Sequence, residues 1–402
     1  MDLELSPEDA AFRAEARDWL ATHVPAGRLP SLETAEGFAA HRAWERTLAE
    51  DRWSVVSWPG EYGGRDASLL RQLLFEEEYY AAGAPGRVGQ NGISLLAPTL
   101  LRHGTAEQRA RILPPMASGA VVWAQAWSEP EAGSDLAALR STARRDAGGW
   151  RLNGQKTWSS RAAFADRAFG LFRSHPGTDR PHQGLTYAMF PLDAPGVTVR
   201  PLGRLDGRPG FAEIFLDEVF VPDEDVIGEP GQGWRVAMST AGDERGLTLR
   251  APGRFTADAH RLAALWREHA AAPGGTPGRG DPGGRDSGLR DRVADVVIRA
   301  RAYQLFAYAR ATGPAGGGSP GAEASLTKVF WSELDLALHE TALDLLGPYG
   351  ELADTAPDAP ARGGWADGYT FALAGPIYAG TNEIQRDIIA ERLLGLPKGR
   401  RG

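Results

Sequence analysis

The hydrophobic period of this chain changes twice along its length, and that limits its fold more than any other feature. Up to about residue 120, apolar residues recur at helical spacing: Phe12, Ala16, Trp19 and Leu20 form one face, and similar patterns run through Trp44 to Leu48, Leu69 to Tyr80 and Ile93 to Leu101. Residues three and four apart share one face of a helix, so these stretches predict α-helices. Breaks at Trp58-Pro59-Gly60 and Gly83-Ala84-Pro85 separate them. The first helix has a start signal in Ser6-Pro7-Glu8-Asp9. It supplies a hydroxyl cap, a proline where the missing N–H is harmless, and acids at the positive helix end.

From about Val121 the pattern shortens to β-rich runs bounded by turns: Val121 to Trp127, Trp150 to Leu152, Ala168 to Phe172, Leu185 to Phe190, Val197 to Val199 and Phe211 to Val221. Such a series predicts a small antiparallel barrel or sandwich. Helical spacing returns after Gly233-Trp234, near Val236 to Leu265, Leu289 to Tyr308, Ala322 to Leu346 and Glu383 to Leu394. The fold class is therefore α+β, mostly α, with a helical N-terminal domain over 1–120, a central antiparallel β-domain over 121–231 and a C-terminal helical bundle over 232–402. Residues 268–288 hold seven glycines and three prolines, and 313–321 hold five glycines, so both read as flexible connections between bundle helices.

Composition removes several function classes. The chain has 402 residues and no cysteine, which excludes disulfides, thiolate metal sites and cysteine nucleophiles. Eight histidines show no paired metal spacing, so no metal ligands are expected. A formal charge of −8 with no basic stripe argues against nucleic acid or anionic membrane as a partner. The N-terminus has neither a basic nor an apolar leader region, and no apolar run approaches a membrane span, so a cytoplasmic location is expected. Among 44 basic residues the only lysines are Lys156, Lys328 and Lys398. That scarcity reads as GC-rich coding DNA, with little functional content.

Gly317-Gly318-Ser319-Pro320-Gly321 matches the nucleophile-elbow pattern formally. It is rejected, because the residue after the serine must lend a backbone N–H to the oxyanion hole and Pro320 has none. No dinucleotide fingerprint follows a predicted strand, and no P-loop is present. Two stretches remain. One is Trp127-Ser128-Glu129-Pro130-Glu131-Ala132-Gly133-Ser134-Asp135, followed by Asn153-Gly154-Gln155-Lys156-Thr157-Trp158-Ser159-Ser160; the other is Ile377 to Arg386, centred on Gly380-Thr381-Asn382-Glu383. Taken alone, the first is either a β-turn with a surface hairpin, or a Gly/Ser turn able to hold a phosphate beside an indole able to face a planar ring. Gly380-Thr381 is a helix cap first and an anion site second.

Together with Trp58-Pro59-Gly60-Glu61-Tyr62-Gly63-Gly64, these stretches in this order resemble the acyl-CoA dehydrogenase family of FAD flavoproteins over nearly the whole chain. The resemblance implies a C-terminal four-helix bundle and FAD as cofactor. It implies that Gln125, Trp127 and Ser128 meet the flavin ring, that Ser134 lies at the pyrophosphate, that Trp158 and Ser160 flank the flavin, and that Thr381 and Glu383 contact FAD from the last helix. An acyl-CoA substrate and an electron-transfer flavoprotein as acceptor are implied with it.

Removing a proton from Cα of a thioester requires a carboxylate within reach of that proton. Many family members carry this glutamate just before the Gly-Thr of the last motif, where this chain has Ala379. Another branch, resembling isovaleryl- and long-chain acyl-CoA dehydrogenases, places it before an arginine on the first helix of the C-terminal domain. This chain has Asp243-Glu244-Arg245-Gly246 there. Glu244 is the expected base, Arg245 an expected substrate contact, and Asp243 the fallback base. The cross-subunit R-x-x-F-G stretch of homotetrameric members is replaced by Arg267-Glu268-His269-Ala270-Ala271, while Leu346-Gly347-Pro348-Tyr349-Gly350 loosely matches a second cross-subunit motif. A homo- or hetero-oligomer is expected. Two other readings are a dehydrogenase of an acyl or aminoacyl group on a carrier protein, and a non-catalytic subunit of a hetero-oligomeric acyl-CoA dehydrogenase.

Overall fold

A computed structural model describes residues 4–244, 247, 251–271, 287–313 and 322–398. In chain order the helices are α1 (Pro7–His23), α2 (Ala35–Glu50), α3 (Leu69–Ala81), α4 (Ala97–His103), α5 (Ala106–Ala117), α6 (Gly233–Glu244), α7 (Pro252–Ala271), α8 (Ser287–Thr312), α9 (Glu323–Leu346), α10 (Gly364–Ala372) and α11 (Asn382–Ile388). The strands are β1 (Trp123–Ala126), β2 (Thr142–Asp146), β3 (Gly149–Ser160), β4 (Arg167–Arg173), β5 (Leu185–Pro191), β6 (Val197–Leu202), β7 (Phe211–Pro222) and β8 (Val226–Ile227). The residues fall into two compact units, described in turn. No described helix is long and apolar enough to cross a membrane.

One unit holds His23–Ser68 and Pro85–Glu244, and so contains α2, α4, α5, the whole sheet and α6. The sheet runs β6-β7-β3-β2-β4-β5-β8, with β1 paired to β4. The expected antiparallel pairing holds except that β1 and β2 each meet β4 in parallel. Strand β2 escaped the sequence reading because Thr-Ala-Arg-Arg-Asp carries no apolar alternation; only Ala143 is buried. The sheet core gathers Trp150, Leu152, Phe172, Phe190, Ile214, Val219 and Val221. Around it, Thr105 and Gln108 form a capping box at the start of α5, and the Gln108 amide also donates to Val226 O at 2.7 Å, tying that helix to β8.

The other unit holds the first 22 residues, Leu69–Ala84 and the chain from Arg245 onward. Ser6 caps α1 as the sequence predicts, its Oγ accepting from Asp9 N at 3.1 Å. Long helices α7, α8 and α9 bury Phe255, Leu262, Tyr303, Trp331, Leu334 and Leu338 against one another, with Trp365 from α10. Buried carboxylates stitch the helices laterally. Glu77 on α3 accepts from Gln304 Nε2 at 2.6 Å and Tyr308 Oη at 2.7 Å on α8, and Asp335 on α9 accepts from Arg254 Nη2 on α7 at 2.6 Å. The glycine-rich connections lie largely outside the described residues.

Candidate active site

Strand β1 is buried except at Gln125, which is half-open. Beyond it Trp127 is buried, its ring edge-on to Tyr187 with centroids 6.3 Å apart, and Ser128 is half-buried. The Ser128 carbonyl accepts from Thr157 N at 2.8 Å, which sets the end of β1 beside the second half of β3. Two stretches far apart in sequence thus meet here. The chain then turns through Gly133 and Ser134, both exposed. A Cβ on Gly133 would meet nothing within 4 Å.

Along β3 the ladder to β7 slips: Lys156 faces Ile214 and Ser159 faces Ala212, so three steps on β3 span two on β7. That is a β-bulge, which re-aims the side chain at the extra residue. Here the residue is Trp158, in the left-handed region at φ 58°. A bulky side chain in that region costs on the order of 1 to 3 kcal/mol, and such strain gathers at functional sites. The result is an indole 61% exposed, steadied edge-on by Phe211 at 5.7 Å. Ser160 is half-buried in register with Phe211, and among the described residues Ser159 Oγ is buried without a hydrogen-bond partner. A flat open indole beside the half-open hydroxyls of Ser128 and Ser160 and the Gln125 amide suits a planar heteroaromatic group with polar edges. FAD fits these residues.

Below this surface lies a buried ion pair that the sequence reading missed. Lys156 is fully buried, and its Nζ donates to Glu129 Oε1 at 2.8 Å and Leu171 O at 2.7 Å. Glu129 also accepts from Arg140 N at 2.6 Å and Ser141 N at 3.0 Å. Burial pushes the Lys156 ammonium down to about 8, with Glu129 opposing the shift. For Glu129, burial is outweighed by Lys156 and the two N–H donors, so its carboxyl lies below the usual range. Both groups are ionised at neutral pH, and together they pin the Ser128–Ser134 turn to the strand carrying Trp158.

In the other unit, Ala379 and Gly380 are both left-handed, at φ 57° and 77°. Gln385 Nε2 braces them by donating to Ala379 O at 2.8 Å and Gly380 O at 3.3 Å. Thr381 caps α11, its Oγ1 accepting from Ile384 N at 3.3 Å, and Glu383 is exposed in the first turn. Its carboxyl is held below the usual range by its own backbone N–H and the Thr381 hydroxyl. Between them Asn382 is buried, its Oδ1 accepting from the fully buried Lys328 Nζ at 2.7 Å and from Ser332 Oγ at 3.1 Å. Of the expected cofactor contacts, Gln125, Trp127, Ser128, Ser134, Trp158 and Ser160 belong to the sheet unit, and Thr381 and Glu383 to the helical unit.

Glu244 is the last residue of α6 and half-buried. Asp243 beside it is 6% exposed and paired with Arg102; burial pushes its carboxyl up to about 6, against the pull of that arginine. Arg245 lies outside the described residues.

Family models for the acyl-CoA dehydrogenase N-terminal, middle and C-terminal domains match residues 6–120, 124–219 and 231–394. The chain is 39% identical to acyl-CoA dehydrogenase IpdE1 of Mycobacterium tuberculosis, over 97% of this chain and 98% of that protein. Among solved structures, the ChsE4-ChsE5 complex from Mycobacterium tuberculosis is similar at 31% identity and a TM-score of 0.82, covering 99% of this chain and 100% of that one. The Tcur3481-Tcur3483 steroid ACAD is similar at 26% identity and a TM-score of 0.81, with the same coverage.

Proposed function

The chain belongs to the acyl-CoA dehydrogenase family of FAD-dependent oxidoreductases, and on that premise we propose that Glu244 is the base that removes the Cα proton of the acyl-CoA. The observation that carries this is the pair of candidate positions. Ala379 offers a methyl group, which accepts no proton, whereas Glu244 ends α6 half-buried and carries a carboxylate that can accept one. Bound FAD would supply the acceptor for the hydride lost from Cβ in forming the 2-enoyl thioester. The protein's own part is to present a planar binding surface at Trp158, Ser128 and Ser160, to contact the cofactor also through Gln125, Trp127, Ser134, Thr381 and Glu383, and to hold the Glu244 carboxylate toward Cα. Arg245 is assigned to the thioester substrate. We keep the segments 1–120, 121–231 and 232–402 as the domains.

Glu244→Gln should retain the yellow flavin but lose anaerobic flavin reduction by at least about a hundredfold, the scale of a lost general base. Reduction at the wild-type rate would refute the assignment. The substrate panel should span short, long, branched and steroid-bodied acyl-CoAs, the last because one similar protein is described as a steroid ACAD. We also read the chain as a subunit of an oligomer. Support comes from the two similar structures, each described by a pair of proteins, and from the replaced R-x-x-F-G stretch. One FAD per chain after purification alone would argue against an obligatory partner.

A further inference from the structure

Two neighbouring carboxylates close α6, and the fold treats them differently. Asp243, itself buried, is drawn into a partly buried contact with Arg102 from the last turn of α4, while Glu244, about 100° further round the helix, is half-buried. One turn earlier on both helices, Thr99 and Thr240 are completely buried and their hydroxyls lie 2.6 Å apart. Residues 99 and 102 on α4 and 240 and 243 on α6 share the same three-residue spacing, so the contacts form two rungs between facing helix surfaces. A third tie runs to the sheet: Tyr187 Oη, fully buried on β5, lies 3.4 Å from Thr240 Oγ1, and the Tyr187 ring packs on Trp127 and Phe169. The helix is thereby held on two sides up to the residue before Glu244.

We propose that Arg102 and Asp243 are positioning residues: their ion pair, with the Thr99–Thr240 rung, fixes the rotation of the last turn of α6 and so the direction in which the Glu244 side chain leaves it. Two electrostatic features make the pair necessary there. A helix C-terminus carries partial negative charge, which disfavours both acids, and adjacent carboxylates oppose each other's ionisation. The Arg102 guanidinium answers both at Asp243. It also commits Asp243 to a structural contact, which separates it from the role of base. Without Arg102, a buried carboxylate would be left uncompensated at the foot of the helix, and the last turn would have to unwind or rotate to solvate it. The inference rests on Glu244 being the base.

The test compares holoenzyme variants by anaerobic stopped-flow flavin reduction, using the acyl-CoA that reduces the wild type fastest, and by amide hydrogen exchange over residues 240–244. Arg102→Gln should reduce the limiting rate about tenfold to a hundredfold, the cost of misplacing a reacting group by about an ångström. FAD content should stay the same and the apparent substrate affinity should remain within about threefold. Exchange at the end of α6 should speed up, and Arg102→Lys should recover most of both effects. Asp243→Asn should reproduce the rate loss from the other side of the pair, and it carries the test if Arg102→Gln does not fold. An unchanged limiting rate in the folded variants, or Arg102→Lys as slow as Arg102→Gln, overturns the proposal. Glu244→Gln separates the two levels. If it is inactive while Arg102→Gln and Asp243→Asn react normally, positioning alone fails; if it reacts at the wild-type rate, the base assignment fails, and loss in Asp243→Asn then names Asp243 as the base.

Discussion

Replacing Lys156 by methionine tests whether the proposed flavin-facing surface depends on charge buried beneath it. Lys156 has no exposed surface, and its ammonium serves Glu129 and the Leu171 carbonyl while lying 4.9 Å from the Phe172 ring centroid. Methionine fills nearly the same volume but leaves the Glu129 carboxylate buried with only the Arg140 and Ser141 N–H donors. Removing one partner of a buried pair costs about 3 to 5 kcal/mol, and the two remaining donors place this case near 3. With a urea slope of about 1 to 3 kcal/mol per molar, the midpoint of flavin release should fall by about 1 M or more. Replacing both partners, as Lys156→Met with Glu129→Leu, removes the stranded charge and should regain much of that loss. A single variant within about 0.3 M of wild type, or a double variant no more stable than the single, would refute this reasoning.

Three further substitutions probe the same unit. A Cβ at Gly154 would stand 2.2 Å from Ser141 Oγ and 2.8 Å from its Cα, at φ 139°, so Gly154→Ala should cost about 2 kcal/mol or more. Gly148→Ala, left-handed at φ 71° but in open space, should cost about 1, and equal losses by thermal unfolding would contradict the steric argument. Asp243 binds its proton more tightly folded than unfolded, so its contribution to stability is greatest below about pH 4 and declines as pH rises through about 6. The full change is on the order of 3 kcal/mol. The stability difference between wild type and Asp243→Asn should therefore shrink or reverse between pH 4.5 and pH 7, and a difference independent of pH would refute it.

The longer helices were legible because each buries a stripe at its own period: Phe38, Trp44 and Leu48 on α2, or Leu334, Leu338 and Leu345 on α9, announce a face wherever it packs, whereas α10 was not read. Strands were legible where apolar residues fill both faces, as in β4 and β5, or alternate along one, as in β7. Strand β3 shows the limit. Its sequence reads as a strand over Trp150 to Leu152, yet it continues to Ser160 through Asn153, Gln155 and Lys156. A lysine inside a strand signals a solvated face unless its partner is known, and Glu129 is 27 residues away. The turn motifs were visible in sequence, but the pairing that immobilises them depends on tertiary contact. The same holds for Arg102 and Asp243, 141 residues apart.

Lysine usage adds a related observation. In a chain whose basic residues are almost all arginine, Lys156 and Lys328 are both fully buried, and each donates to a residue inside one of the two motifs, Glu129 and Asn382. On the surface, arginine replaces lysine at little cost, since either cation is solvated. In a closed site the exchange is not neutral. A planar guanidinium needs more room and more acceptors than a compact ammonium, and close-packed interiors supply neither. Two of the three lysines sit where the ammonium is enclosed, while the third, Lys398, is exposed. The lysines at 156 and 328 are the buried supports of both motifs, a role that becomes visible only with their partners Glu129 and Asn382.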